Sequence, residues 1–178
     1  ILFNSPEIEI EKDEEGFSKF ITDDMIGTTM EDNFPEFPIH SSMFQMSPGM
    51  EYDIEYEVLS SYLIEDINFK SLDNQNSIYP NDNISLSEPL IMRGLVLGQI
   101  SFIPYKYSFE NKTLEVYDAV QITITESDDQ VDFDYFIPEK KSYIFEELYE
   151  NFVINYTSSD RSEDYQNPSI LYICGGNS

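Results

Sequence analysis

From Met50 to Val58 the chain alternates without a break: Met50, Tyr52, Ile54, Tyr56 and Val58 interleave with Glu51, Asp53, Glu55 and Glu57. Successive side chains of a strand point to opposite faces, so this pattern predicts a strand with one buried and one wet side. PEIEIEK, residues 6–12, alternates in the same way. GFSKFIT follows it after Asp13-Glu14-Glu15, which together predicts a hairpin with an acidic turn. Residues 22–36 are polar with scattered Met and Gly and read as loop.

Phe37 to Gln45 is a further extended run, entered through Pro35 and Pro38 and left through the turn signal Ser47-Pro48-Gly49. Residues 65–85, rich in Asn, Asp and Ser around Tyr79-Pro80, are the longest expected loop, and loops of that length tend to be functional or disordered. Leu95 to Tyr107 reads as a long apolar strand broken by Gly98 and Pro104, the proline marking an edge or a bulge. Phe109 to Lys112 is a turn, and Thr113 to Thr125 is the hairpin partner. Its Leu114, Val116, Val120, Ile122 and Ile124 share one face after a slip near Asp118, which fits a β-bulge.

The period then changes. Ile144, Phe145, Leu148, Tyr149, Phe152 and Val153 fall at helical spacing, with Ser142 as N-cap and Glu146 and Glu147 in the first turn. Residues 157–168 are polar and end on Pro168, as a linker does. Ile170 to Cys174 is an unbroken apolar run before Gly175-Gly176. Such a run reads as a central parallel strand, here the first strand of an α/β domain cut short; the alternative is the last strand of the β domain. The expected fold is therefore mainly β: an antiparallel β-sandwich over residues 1–156 with one C-terminal helix, a linker over 157–168, and the start of a truncated α/β domain over 169–178.

Composition agrees and narrows the function. Hydrophobic residues make up 40% and aromatics 15% of the 178 residues, with 13 Tyr, 13 Phe and no Trp, a balance that favours strands. Acidic side chains number 35 against 9 basic ones, a formal net charge of -26. Such a surface repels phosphate backbones and anionic membranes, so nucleic-acid binding is excluded. The acidity serves solubility or a salty or cold habitat, or else docking onto a basic partner. A single cysteine precludes an internal disulfide, and no stretch approaches the roughly 20 apolar residues of a membrane span. The chain starts on Ile1 rather than Met and is read as a fragment or processed product.

Few residues carry candidate chemistry. His40 is the only histidine, and without a folded α/β domain around it cannot form a catalytic dyad with Cys174, which reads as a buried thiol. Asp128, Asp129, Asp132 and Asp134 could bind calcium through oxygen ligands, but lack the glycine turn of a known calcium loop; the plain alternative is an acidic, solvated hairpin turn. Arg93, among abundant acids, is expected in a structural ion pair. No catalytic residue and no obligatory cofactor is expected.

Several segments in order resemble the propeptide of gingipain-family cysteine peptidases. They are Pro35-Glu36-Phe37-Pro38-Ile39; Ser87-Glu88-Pro89 with Ile91-Met92-Arg93; Phe102-Ile103-Pro104-Tyr105-Lys106-Tyr107 with Leu114-Glu115-Val116-Tyr117; and Phe145-Glu146-Glu147-Leu148-Tyr149 through Ile154-Asn155-Tyr156. The resemblance runs from about Pro6 to Tyr156. It implies a β-sandwich prosegment of a secreted or cell-surface bacterial cysteine endopeptidase, which assists folding of the cognate catalytic domain and blocks its active site until cut away. It makes 169–178 the start of that catalytic domain, whose His and Cys lie further downstream. Cleavage after a basic residue soon after the Asn-Tyr ending points to Arg161, in a segment of the exposed, polar kind that proteases cut. A basic loop side chain that plugs the S1 pocket in some members points to Lys70, the only cation between Asp66 and Asp82. The plain alternative for Arg161 and Lys70 alike is a solvated side chain. Two other functions compete: a non-catalytic β-sandwich module that binds carbohydrate or protein on a cell-surface protein, and a domain retained uncleaved in a gingipain-like protein.

Overall fold

The computed structural model describes residues 1–21, 27–31, 34–70, 78–92, 95–130 and 145–158. Twelve strands and one helix follow one another: β1 (Leu2–Asn4), β2 (Glu9–Lys12), β3 (Ser18–Ile21), β4 (Gly27–Thr28), β5 (Pro38–Gln45), β6 (Met50–Ile64), β7 (Ile78–Tyr79), β8 (Ile84–Leu86), β9 (Leu90–Met92), β10 (Leu95–Phe102), β11 (Tyr105–Ser108), β12 (Thr113–Gln130) and α1 (Glu146–Phe152). The architecture is mainly β with antiparallel sheets, as expected.

The first sheet is built on β12. The alternating strand β6 lies along one edge, β11 and then β1 along the other, and β7 beyond β11. The slip near Asp118 is real and has a counterpart. Tyr117 pairs with Ser61 and Ala119 with Ser60, so Asp118 is an extra residue on β12; Val120 then pairs with Val58, so Leu59 is an extra residue on β6. The bulged Asp118 carbonyl accepts the Ser5 amide at 2.9 Å, and its carboxylate accepts the Ser60 hydroxyl at 3.1 Å.

The second sheet is built on β10, with β5 and then β4 on one side and β8 and β9 sharing the other. The two sheets face each other across Phe44, Val96 and Ile100, with Phe102, Val120 and Ile122 beside them and Ile54 and Ile84 bridging both groups. Gly98 sits on the same face, and a Cβ there would meet the Phe44 ring at 2.6 Å and the Met46 sulfur at 2.8 Å. Phe44 is the cross-strand partner of Gly98 on β5, and only the missing side chain lets its ring and the Met46 sulfur lie across β10 here. The other face of β10, Leu95 and Leu97, is covered by Tyr149 and Val153 of the helical segment. Burial on both faces is why the strand opens on three consecutive apolar residues, Leu95, Val96 and Leu97, before it begins to alternate at Gln99 and Ser101.

A third group of rings fills the end of the sandwich, where Phe37, Phe69, Tyr79, Tyr105 and Tyr107 are buried and Phe20, from the β2–β3 hairpin, packs against them. Phe20 stacks on Phe69 at 5.4 Å and Tyr107 meets Phe69 edge-on at 5.0 Å, the offset and T-shaped geometries that aromatic quadrupoles prefer.

Several expectations change. Pro104 is neither at an edge nor in a bulge: it lies between β10 and β11, where the chain crosses from one sheet to the other. Asn83, buried at 2% exposure, organises that crossing. Its side-chain Nδ2 donates to the Ile103 and Tyr105 carbonyls at 2.6 and 2.8 Å, and its main-chain carbonyl accepts the Ile103 amide at 2.8 Å. Proline has no amide to continue a ladder, so a side chain satisfies the backbone instead. Residues 22–36 contain the short strand β4, and 65–85 contain β7 and β8. β6 runs on to Ile64, and its inner face is half-buried rather than buried because β6 is an edge strand. β12 runs to Gln130, so the backbone at Asp128 and Asp129 continues a strand rather than a turn. The helix is short, its N-cap is Phe145 without a side-chain hydrogen bond, and Ser142 lies outside the described residues.

Candidate docking and processing site

Where the chain leaves the sandwich is its most elaborated polar feature. α1 lies on the outer face of the second sheet, with Tyr149 and Val153 inserted against Leu95, Leu97 and Met43. After α1 the chain becomes extended and joins the outer edge of β5. Val153 forms a parallel bridge with Met43, and the Ile154 amide donates to the Met43 carbonyl at 2.9 Å. Asn155 then replaces the backbone ladder with its side chain. Its Oδ1 accepts the Gln45 amide at 2.6 Å and its Nδ2 donates to the Gln45 carbonyl at 2.9 Å. Tyr156 folds back on the helix, its ring 5.3 Å from Tyr149 and its hydroxyl donating to Glu146 Oε1 at 2.8 Å. The outward side of this segment is apolar: Phe152 is 62% and Ile154 48% exposed, and Leu148 stands beside them. Phe145, Leu148, Asn151 and Phe152 line a shallow groove there.

The residues singled out from the sequence fall elsewhere or beyond the described residues. Lys70 is exposed, and its ammonium donates to Glu15 Oε2 at 2.6 Å and lies 5.6 Å from the centre of the Phe17 ring. The hydrogen bond to Glu15 raises its pKa, the Glu15 charge adding to it. It therefore stands on the β2–β3 turn, at the last described position before residues 71–77. That turn is set by Asp13, whose Oδ1 accepts the Glu15 and Phe17 amides at 2.9 and 2.8 Å, and by Gly16 at φ +87°.

His40 is half-buried against Phe3, ring centres 5.0 Å apart, and its Nε2 has no hydrogen-bond partner; burial lowers its pKa. It touches no nucleophile that the described residues supply. Arg93, Arg161, Cys174, Asp132 and Asp134 lie outside the described residues, as do the side chains of Asp128 and Asp129. Among the described residues no group of three or more His, Cys, Asp or Glu could hold a metal ion, and no helix is long and apolar enough to cross a membrane.

Sequence reasoning misses Asn83 and Gln45, and marks Asn155 only as part of the Asn-Tyr ending, with no role of its own. The partners of the two asparagines are not readable, because they lie 20 to 22 and 110 positions away.

Comparison with known proteins adds the following. Residues 31–163 match the family model Propeptide_C25. The fold is similar to that in a complex of Porphyromonas gingivalis RgpB pro- and mature domains, with TM-score 0.64 and 20% identity over 88% of this chain and 91% of that one. It is also similar to a structure described as giving insight into the zymogenic latency of gingipain K from the same organism, with TM-score 0.50 and 14% identity over 71% of this chain and 86% of that one. No curated protein matches.

Proposed function

Because the chain belongs to the C25 propeptide family, the propeptides of gingipain-type cysteine peptidases, we propose that it restrains and helps to fold the catalytic domain of its own precursor until it is cut away. The observation that carries this reading is the extent of the family match, which takes in the strands from β5 onward, α1 and the exit segment. The chain itself does no chemistry in this reading. Its partner is the cognate cysteine endopeptidase, and the pair is secreted or held at a bacterial surface. The exposed apolar side of α1, next to the point where the chain departs, offers a surface for that partner.

Two cations bear on the restraint, one ending it and one enforcing it. Arg161 is the residue after which the precursor is cut. Lys70 enters the S1 pocket, exchanging its exposed pair with Glu15 for a carboxylate of the enzyme. An exposed ion pair holds a lysine only loosely, so the exchange is easy.

Inhibition of the mature cognate peptidase by the added chain tests the reading. Submicromolar inhibition is expected, on the order of what a standard-sized interface supports. Lys70→Ala should weaken it, and Arg161→Ala should stop maturation of the precursor. A chain that leaves the peptidase fully active at micromolar concentration sinks the inhibitory role; normal processing of Arg161→Ala sinks the cut site alone.

A further inference from the structure

We propose that Asn155 is a positioning residue for processing: its carboxamide clamps Gln45 and makes Tyr156 the last residue that the sandwich withholds from a peptidase. The proposal rests on the reading above that the precursor is cut beyond this point. A peptidase needs several residues of exposed, extended and unpaired backbone. From Val153 to Tyr156 no such backbone is on offer. Val153 and Ile154 are engaged with Met43, the Asn155 side chain fastens its residue to Gln45, and the Tyr156 amide donates to the Val153 carbonyl at 3.1 Å, so the stretch is held against the sandwich at every residue. Thr157 and Ser158 are exposed and, among the described residues, make no hydrogen bond to the sandwich.

The chemistry of the clamp is specific. The Gln45 peptide presents one donor and one acceptor, and a partner must supply the complement of both. Among neutral side chains only the carboxamides carry a donor and an acceptor side by side on one carbon; the two nitrogens of imidazole point apart, and Gln would need room for a further methylene. Aspartate supplies the acceptor but sets a carboxylate oxygen against the Gln45 carbonyl. The clamp therefore ends a sheet edge with a side chain, which frees the main chain at residue 155 to turn outward.

Cleavage adds water across the Arg161–Ser162 bond, leaving a carboxylate on Arg161 and an amine on Ser162. Arg161 is five residues beyond Tyr156, a tether of at most about 18 Å when fully extended. With the clamp in place the substrate segment begins at Thr157. Without it, the segment grows back towards α1 and bonds that belong to the sandwich become available.

Native-state digestion of the full chain tests this. A peptidase that cuts after aromatic residues should spare the Tyr156–Thr157 bond in the wild type and cut it about tenfold faster in Asn155→Ala, as loss of two partly exposed hydrogen bonds implies. A peptidase that cuts after basic residues should cleave after Arg161 at the same rate in both, because that bond lies beyond the clamp. Equal cutting at Tyr156 in both proteins overturns the proposal. A direct measurement on the wild type guards against a variant that fails to fold: the Gln45 amide should be protected from hydrogen exchange, and exchange at the rate of an open loop overturns the clamp. Neither assay involves the cognate peptidase, so the clamp and the inhibitory role can fail separately.

Discussion

His40 shows what a single half-buried residue can impose. Its imidazole packs on Phe3, and burial holds its folded-state pKa below the ordinary 6.5. Between the lowered value and 6.5 the unfolded chain binds a proton that the folded chain refuses, so stability rises with pH across that window and is lost as pH falls below about 6.5. The 35 acidic groups also titrate on acidification, which makes a difference measurement necessary. Denaturant midpoints of wild type and His40→Gln, taken from pH 8 to pH 5, should diverge, the wild type losing ground at the acid end. A gap that stays constant with pH would show that His40 is as easily protonated in the fold as out of it. The residue-scale features the sequence left unread are those whose meaning depends on a distant partner. Asn83 looks like any other polar residue until the chain has folded around it, and Asn155, though part of the Asn-Tyr ending, shows no sign of its partner Gln45.

At the scale of elements, period-two alternation was enough to place β6, the β2–β3 hairpin and the β11–β12 hairpin, because each strand faces a core on one side only. It failed at β4, β7 and β8, which have too few residues for a period to show. It also failed at Pro104, where the sequence records a break but not that the break is a change of sheet. The candidate site was legible only as a polar linker with a basic residue in it. The clamp before it was not, since a side chain continuing a ladder leaves no periodic trace. Gly98 is an element-scale constraint with a sharp consequence. Ala at this position must push the Phe44 ring and Met46 sulfur aside from 2.6 and 2.8 Å, a form of overpacking that typically costs about 1–3 kcal/mol. Chemical denaturation of Gly98→Ala should show that loss, and pairing it with Phe44→Leu, which removes the ring, should restore part of it. A Gly98→Ala protein as stable as the wild type would mean that the Phe44 and Met46 side chains have room to move aside.

For the whole molecule, a net charge of -26 on 178 residues sets the terms of stability and of partnership. Self-repulsion of that size opposes the folded state and is screened by salt, with a Debye length near 10 Å at about 0.1 M. Among the described residues only two ion pairs offset it, Lys19 with Glu11 and Lys70 with Glu15, both exposed. Sodium chloride from low ionic strength to about 0.5 M should therefore raise the melting temperature, by several degrees for about 1 kcal/mol gained. A melting temperature indifferent to salt would show that the acids are already spaced beyond mutual influence. The same salt should weaken association with a basic partner, so stability and binding are expected to respond in opposite directions.

The first and last segments of the sandwich also set when it can exist. β1 completes its ladder on β12, and the Ile1 amine reaches the Ile122 carbonyl across 121 positions; the Gln45–Asn155 clamp spans 110. On a ribosome, neither contact is available until the far partner has emerged. Pairings this distant in sequence close slowly, because the loop entropy must be given up before the contacts return it. β1 and the outer edge of β5 near Met43 and Gln45 therefore stay unpaired until β12 and the exit segment, respectively, have been synthesised. The clamp is among the last contacts for which both partners become available, so the exit of the chain can be secured only when the strands before it have already been made.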